Sequence, residues 1–358
     1  MSPTSLAARP PADLGSLEAL RAQFPDAAGY LAACTLGLPT SGTRAAIAAD
    51  LAGRPDVAEY SRAVEASRAH FARLVGVTPD RVAIGAQTSV QVALLAASVP
   101  EGADVLVPEH EFSSLVLPYV HAGRGIRVRT APLARLADEI RPGTALVAFS
   151  LVQSASGEVA DLDAIVAAAS RWDARTVCDA TQAVGWLPVS AARVDALLCH
   201  AYKWLCCPRG VAFLTVRAEY ARVLVPVQAG WYAGEDPWTS CYGGDADLAD
   251  CARRFDVSPA WQAFVGAEPA LAAFAATDIA QVHARTTRLA ADFRKRLDLP
   301  EPERPSAIVT WPDADGCDLA RLTSAGITAS GRNGSARVAF HVFNDTRDVD
   351  RAAVALGR

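Results

Sequence analysis

Two side chains of opposite charge stand 24 residues apart, and each follows a short apolar run. Asp179 ends the run TVCD, and Lys203 comes just after VDALLCH. A primary amine that can lose its proton attacks aldehydes and later serves as a general base. A carboxylate keeps a pyridine nitrogen protonated, so that the ring can accept electrons. Together, at neighbouring strand ends, these two groups meet the requirements of a pyridoxal 5′-phosphate (PLP) site.

Lysine is rare in this chain, which makes its position informative. Of the 34 basic residues, two are lysines, Lys203 and Lys295, and the other 32 are arginines. An arginine guanidinium stays protonated and cannot replace an amine nucleophile. Lys203 lies between apolar and aromatic neighbours in AYKWL, which indicates a site, whereas Lys295 lies on a charged helix in DFRKRLDL.

Short apolar runs alternate with helical segments between about residues 80 and 215. This alternation predicts an α/β fold with a mainly parallel, seven-stranded sheet flanked by helices. Ligands bind beyond the carboxyl ends of such strands, where Asp179 and Lys203 are expected. The strand candidates are DRVAIGA, ADVLVPE, GIRVRTA, TALVAFS, ARTVCDA, VDALLCH and GVAFLTVR.

The remaining segments suggest the domain organisation. Residues 258–296 read as one or two long helices, and a small C-terminal α+β domain follows. We therefore expect an N-terminal segment over residues 1–27 that packs on the small domain, a large cofactor-binding domain over 28–257 and the small domain over 258–358.

Composition and charge exclude several other classes. The chain of 358 residues is 51% hydrophobic with a net charge of −5, and it lacks the clustered positive face that nucleic-acid binding needs. No apolar stretch is long enough to span a membrane, and no secretory signal is visible, so we expect a cytoplasmic protein. Eight cysteines without paired spacing predict buried thiols, with neither a disulfide scaffold nor a metal site.

The segment from TVCDATQAVGWLPV through VDALLCHAYKWLCCPRGVAFL resembles the class V aminotransferase branch of fold-type I PLP enzymes. The order and spacing of Asp179, Gln182 and Lys203, followed by a Pro-x-Gly turn, carry the likeness. It extends from YLAACTLG near the start to ARVAFHVFNDTRDVDRAAVAL at the end. The resemblance implies the fold-type I architecture, PLP as the cofactor, and contacts of these three residues with it.

The resemblance also implies where the cofactor phosphate binds. The turn IGAQTSVQVALLAA would place a helix N-terminus, which favours anions, against the phosphate. RRFDVSPAW resembles a segment that the neighbouring subunit contributes, which implies an obligate homodimer. The phosphate-side candidates are Gln87, Thr88, His200, Tyr202, Trp231 and, in trans, Ser258.

Further positions would face the cofactor ring and the substrate. In PEHEFSSLVLPY, Phe112 is favoured over His110 as the ring that covers the pyridine. Arg337 matches the arginine that grips the substrate α-carboxylate through two parallel hydrogen bonds. Thr35 is a second substrate-side candidate, and Ser154 stands where many relatives have an asparagine.

The reaction type rests on the same resemblance. Desulfurases carry a nucleophilic cysteine shortly before the carboxylate-binding arginine, and the loop TASGRNGSA has none. Cys317 reads as a buried apolar residue at a helix start. The chain therefore resembles the branch of kynureninase, isopenicillin N epimerase and C–S lyases, and we expect β-elimination from an S-substituted cysteine in secondary metabolism. The alternatives are an aminotransferase, an oxidative deaminase or epimerase, and a non-catalytic protein on this scaffold.

Overall fold

The architecture is described by a computed structural model that covers residues 16–358. All seven predicted strands form, and the buried apolar side chains of six of them explain why those runs become the centre of the molecule, whereas Arg127–Ala131 lies at the sheet edge. The strands are β1 Val82–Gly85, β2 Asp104–Pro108, β3 Arg127–Ala131, β4 Thr144–Ser150, β5 Arg175–Asp179, β6 Ala196–His200 and β7 Ala212–Val216.

The large sheet has the strand order β1-β7-β6-β5-β4-β2-β3. Strand β7 runs antiparallel to both of its neighbours, and the remaining pairs are parallel. The prediction of a mainly parallel, seven-stranded α/β sheet is therefore confirmed. Strands β4, β5 and β6 are adjacent, so the residues that follow them meet at one edge of the sheet.

Twelve α-helices surround the sheets in the described part of the chain. Their bounds are α1 Leu17–Arg21, α2 Ser41–Ala52, α3 Val57–Leu74, α4 Thr88–Ser98, α5 Ser113–Val120, α6 Leu136–Glu139, α7 Leu162–Arg171, α8 Ala218–Ala221, α9 Trp261–Ala275, α10 Ile279–Arg296, α11 Cys317–Ser324 and α12 Thr346–Ala355. None of these helices combines the length and apolarity needed to cross a membrane.

A second, antiparallel sheet lies near the C-terminus. Its strands β8 Ile308–Pro312, β9 Ser330–Arg332 and β10 Ser335–Ala339 are ordered β8-β10-β9. Helix α10 buries its apolar face in the core beneath this sheet, whereas α9 packs against α2 and α3 and shares the core of the large sheet. The boundary at residue 258 stays a prediction.

The N-terminal part of the chain contacts both sheets. Residues 1–15 lie outside the described residues, but Phe24 packs against Phe343 with ring centroids 4.9 Å apart. Tyr30 forms a β-bridge with Thr328 beside the small sheet. The Gly37 N–H donates to the Tyr202 carbonyl at 2.8 Å, and a Cβ at Gly37 would collide with the Lys203 carbonyl oxygen. Only glycine permits this close approach.

One buried ion pair ties helix α3 to the segment before α9. Arg68 donates to Asp256 at 2.7 Å, and both side chains are inaccessible to solvent. The Asp256 carboxylate also accepts the Ile84 N–H of β1 at 2.8 Å. These bonds fix the position of Asp256.

The cysteines agree with the sequence prediction in part. All eight are free thiols, and five are buried. Cys317 begins helix α11 as predicted, but it is exposed, so its expected burial is wrong. The reason is that α11 makes its core contact through Leu322, five residues later, and leaves Cys317 at the surface.

Candidate active site

A cavity opens at the carboxyl edge of the large sheet and brings together most of the predicted site residues. Asp179 ends β5, His200 ends β6, and Lys203 follows three residues after β6. The cavity is lined by Gln87, Thr88, Ser89, Phe112, Ser114, Ser150, Ser154, Asp179, Thr181, Gln182, His200, Tyr202, Lys203 and Arg209.

Lys203 is buried at the floor of this cavity, with 6% of its surface exposed. Burial lowers the pKa of its amine to about 8, although the Asp179 carboxylate opposes this shift. The Lys203 Nζ lies 5.3 Å from the centroid of the Phe112 ring. A substantial fraction of this amine is therefore neutral near physiological pH, as a nucleophile and base must be.

Asp179 is also buried, which raises the pKa of its carboxyl group. Its Oδ1 accepts the Thr181 N–H at 2.8 Å, and this bond and the nearby Lys203 both favour the ionised form. A protonated nitrogen placed beside this group would likewise favour its ionised form.

Gln182 is held in one orientation by three hydrogen bonds. Its amide nitrogen donates to the Cys34 carbonyl at 2.8 Å and to the Ser154 hydroxyl at 3.0 Å. Its amide oxygen accepts the Trp204 indole N–H at 2.8 Å. Because every polar atom of the amide is engaged, the side chain forms a rigid wall of the cavity.

Arg337 lies behind this wall, on β10 of the small sheet, and is buried. Its guanidinium donates to Thr35 Oγ1 at 2.8 Å, to Ser154 Oγ at 3.1 Å and to the Ser154 carbonyl. Its Nε donates to Ser330 Oγ at 3.2 Å. Thr35, Ser154 and Arg337 thus form one cluster, although only Ser154 of the three lines the cavity.

The opposite end of the cavity is suited to an anion. Helix α4 starts at Thr88, and its N-cap residue Gln87 makes no side-chain capping bond. The free N–H groups of the first turn therefore remain available beside the cavity. Thr88 itself is buried rather than acting as an N-cap.

His200 adds an unsatisfied polar atom at this end. Its Nε2 is buried and has no hydrogen-bond partner among the described residues. Burial, together with the positive charges of Arg209 and Lys203, lowers the pKa of His200 to about 4, so its imidazole is neutral. In the tautomer that carries its proton on Nε2, His200 would donate to an oxyanion placed between it and the start of α4.

Arg209 is a cavity residue that the sequence predictions missed. Its guanidinium carbon lies 4.5 Å from the centroid of the Tyr202 ring, which also contacts the His200 ring at 4.4 Å. The position directly before the glycine of Pro-x-Gly was the available signal, but one exposed arginine among 32 carries no pattern of its own. Ser89, Ser114, Ser150 and Thr181 were missed as well.

Besides Thr35 and Arg337, the predicted residues Trp231 and Ser258 and the alternative His110 do not line the cavity of the single chain. Trp231 packs against Trp238 with ring centroids 5.2 Å apart, Ser258 is exposed, and His110 lies on the loop before α5 without lining the cavity. Phe112, in contrast, lines it and is 44% exposed. The roles assigned to these residues stay predictions.

The loop expected to carry a desulfurase cysteine is a tight hairpin. Strands β9 and β10 pair directly, with Asn333 and Gly334 between them at φ values of 50° and 72°. Two consecutive left-handed residues are typical of a two-residue hairpin turn. The turn holds no cysteine, and Cys317 lies on α11 instead.

Comparison with known proteins identifies the family. The family model described as aminotransferase class-V matches residues 55–306. The chain belongs to the class V aminotransferases. It is consequently a PLP-dependent enzyme, and the arrangement of Asp179, Lys203 and the anion-suited end of the cavity agrees with that assignment.

Several class V aminotransferases and related structures are similar to the chain. A probable cysteine desulfurase of Aeropyrum pernix is 33% identical over 48% of this chain and 46% of its own length. The isopenicillin N epimerase of Amycolatopsis lactamdurans is 29% identical over 81% of this chain and 83% of its own. The cystine C–S lyase C-DES, solved with its product cysteine persulfide, has a TM-score of 0.83 at 20% identity, covering 93% of this chain and 99% of its own, and shows the shared fold.

The residues of this class V aminotransferase fit PLP by charge and by unsatisfied polar atoms. The unpartnered His200 Nε2 and the uncapped start of α4 suit the phosphate, and the buried Asp179 suits the pyridine nitrogen. When bound, PLP withdraws electrons from the Cα of an attached amino acid. Lys203, with its pKa of about 8, has the chemistry of a base that would accept and return a proton at that carbon.

Proposed function

We propose that this enzyme cleaves the Cβ–S bond of an S-substituted cysteine by β-elimination. Lys203 Nζ takes the α-proton, the electrons of the Cα–H bond form the Cα–Cβ double bond, and sulfur leaves as a thiolate with the Cβ–S electrons. The released enamine hydrolyses to pyruvate and ammonium. These steps need no oxidant or reductant.

The observation that carries the proposal is the combination of one buried amine in the cavity with a hairpin that contains no cysteine. Among the residues that line the cavity, Lys203 is the one amine, and Asp179 and His200 lie at the proposed ring and phosphate positions. One base at Cα is sufficient for elimination. The Asn333–Gly334 turn beside Arg337 offers no thiol that could take sulfur from a substrate. The similarity to a probable cysteine desulfurase supports a cysteine-derived substrate.

Arg337 is proposed to bind the α-carboxylate of the substrate. Its guanidinium is buried between Thr35 and Ser154, and no carboxylate of the described residues pairs with it. In our proposal the substrate carboxylate displaces part of this hydrogen-bond set and takes two parallel bonds. This grip would orient the Cα–H bond toward Lys203.

A homodimer with shared sites is part of the proposal. Ser258 is exposed and lies beyond the ion pair that fixes Asp256, which suits a residue donated to a neighbouring chain. The apolar side chains of Phe112, Leu117 and Val120 are exposed around the cavity mouth and α5. Burial of these residues against a second copy would remove apolar surface from water.

The test is product analysis with purified, PLP-loaded enzyme. S-Methyl-, S-benzyl- and S-carboxymethyl-cysteine would each be supplied, and the products identified by mass spectrometry. We expect thiol and pyruvate to be released in equal amounts. A sulfur-containing keto acid together with the amine form of the cofactor would indicate transamination instead. Release of neither thiol nor pyruvate from any of the conjugates would refute the lyase proposal.

Epimerisation is the second candidate, because the isopenicillin N epimerase similarity covers four-fifths of both chains. That reaction returns the proton to the other face of Cα and leaves the Cβ–S bond intact. Chiral analysis of the recovered amino acid separates the two reactions: a D-isomer without released thiol supports the epimerase.

A further inference from the structure

A carboxylate that the proposed mechanism does not use lies beside the cofactor site. Glu111 stands on the loop between β2 and α5, one residue before Phe112, and is partly buried. Burial raises the pKa of its carboxyl group, whereas its hydrogen bonds oppose that shift. Three hydrogen-bond donors contact this one carboxylate, although it lies on a loop.

The bonds of Glu111 join two different elements. Its Oε1 accepts the Phe112 N–H at 2.6 Å and the Ser150 hydroxyl at 2.6 Å. Its Oε2 accepts the Ser150 N–H at 2.8 Å. Ser150 is the last residue of β4 and pairs in register with Asp179 of β5. Glu111 therefore links the backbone of Phe112 to the strand pair that carries Asp179.

The sheet itself leaves the Ser150 N–H in need of this acceptor. In a parallel sheet, successive residues of a strand bond to neighbours on opposite sides. The Leu151 N–H bonds to the Asp179 carbonyl on the β5 side, so the Ser150 N–H faces β2. Strand β2 has ended at Pro108 by this level, and the Glu111 carboxylate takes the place of its next carbonyl.

Phe112 has little else to hold its ring. The side chain is 44% exposed, and among the described residues no aromatic partner stacks on it. On the cavity side, the centroid of the Phe112 ring lies 5.3 Å from Lys203 Nζ. Within its own chain, Phe112 therefore depends on its backbone for its place at the cavity mouth, and that backbone is anchored through Glu111.

We propose that Glu111 is a positioning residue that holds Phe112 over the face of the PLP ring by anchoring the loop to Ser150. The proposal rests on the PLP site and on the role of Phe112 given above, and it adds a specific residue on which that role depends. Glu111 acts through Phe112 and does not touch the reacting atoms.

The test is a double-mutant cycle on cofactor affinity. Apoenzyme of the wild type, Glu111→Gln, Phe112→Ala and the double variant would be titrated with PLP, read by visible absorbance and by the circular dichroism of the cofactor band. Glu111→Gln places an amide where three donors need acceptors, and we expect the dissociation constant to rise about tenfold with a weaker dichroic band. The double variant should bind no more weakly than Phe112→Ala alone.

Two further variants keep the outcome interpretable. Glu109→Gln changes an exposed carboxylate on the same loop and should leave affinity unchanged. Ser150→Ala removes one of the three bonds and should weaken binding about two- to threefold, even if Glu111→Gln fails to fold. Equal affinity of Glu111→Gln and wild type, or independent effects that multiply in the double variant, would overturn the proposal. Failure of the wild type to bind PLP would instead overturn the function proposed above.

Discussion

The Ser154 hydroxyl oxygen lies 3.1 Å from a guanidinium nitrogen of Arg337, although 183 residues separate them. The same oxygen accepts the Gln182 amide N–H at 3.0 Å. One hydroxyl thus connects the wall of the cofactor cavity to the arginine proposed to bind the substrate carboxylate. The family resemblance implies an asparagine at this position in many relatives. In this chain the shorter serine side chain makes both contacts.

Loss of this link should affect substrate binding more than chemistry. For Ser154→Ala we expect KM for an S-substituted cysteine to rise about fivefold, because one hydrogen bond that orients Arg337 disappears, with kcat changed less than twofold. Ser154→Asn should retain most of the affinity. Ser156→Ala, two residues further along, is the matched control and should behave as wild type. A drop in kcat at unchanged KM would contradict this role.

Replacement of Lys203 separates charge from chemistry. Lys203→Arg keeps the positive charge but has no amine that can lose a proton, so we expect loss of the visible cofactor band and a fall in activity of at least about 10³-fold. Lys203→Ala should do the same. Lys295→Arg, at the other lysine, should leave both unchanged. An active Lys203→Arg enzyme with a normal band would disprove the assignment.

Capture of PLP by the apoenzyme should depend on pH through Lys203. Burial lowers the pKa of this amine to about 8, so the neutral, reactive form increases as pH rises through that value. We expect the rate of band formation to climb between pH 6 and 9 with a midpoint near 8. A free lysine would give a midpoint at about 10.4.

Asp179 provides the control for this pH dependence. Its carboxylate raises the pKa of Lys203, so Asp179→Asn should move the midpoint to lower pH. The pKa of His200 is lowered to about 4, so its protonation does not change between pH 6 and 9 and does not affect the midpoint. A midpoint near 10 in the wild type would show that Lys203 is not buried as described.

The buried Arg68–Asp256 ion pair is expected to contribute to the free energy of unfolding. Arg68→Met removes the cation and leaves a buried carboxylate without its partner, which should lower the free energy of unfolding by about 3–5 kcal/mol. Denaturant unfolding of the apoenzyme measures this. Adding Asp256→Asn in the same chain should recover part of the loss, because the uncompensated charge is gone. Arg62→Met, on the exposed side of α3, should cost about 1 kcal/mol or less.

Sharing of the site between subunits can be tested by complementation. Ser258→Glu would place a negative charge against the phosphate of the neighbouring chain, and Lys203→Ala inactivates its own chain. If Ser258 acts in trans, co-expression of the two variants yields heterodimers with one intact site, and activity should recover to about a quarter of wild type. No recovery beyond that of the separate variants would mean that Ser258 does not act across the interface.

The large sheet and the centre of the site were predictable because both have strong local signals. Six of the seven strands are mainly apolar and buried, with the edge strand β3 as the exception, and Asp179, Gln182 and Lys203 lie at or just after the ends of β5 and β6 at fixed spacing. Arg209 and Glu111 were not predictable in this way. Arg209 is recognised by its contact with Tyr202, and Glu111 by its bonds to the end of β4. Both contacts exist only in the folded chain, so the local sequence does not predict them.

Cys317 is a residue whose local pattern predicted the secondary structure but not the burial. The helix start was predicted correctly, but the burial of its first residue was wrong, because a helix of eight residues exposes most of its first turn when a later leucine makes the core contact. Arg337 was predicted only through the family resemblance. Its partners Thr35 and Ser154 come from distant parts of the chain, so no sequence window contains the cluster.

The close approach of Gly37 to the Lys203 turn has a consequence for the order of folding. Residues 30–37 contact the small sheet on one side and the lysine turn on the other, so this segment depends on strand β10, which follows about 300 residues later in the chain. Such distant contacts form slowly and late. Without β10, residues 30–37 would lack their contact with the small sheet, so we expect the segment over the lysine turn to settle only after that sheet has formed.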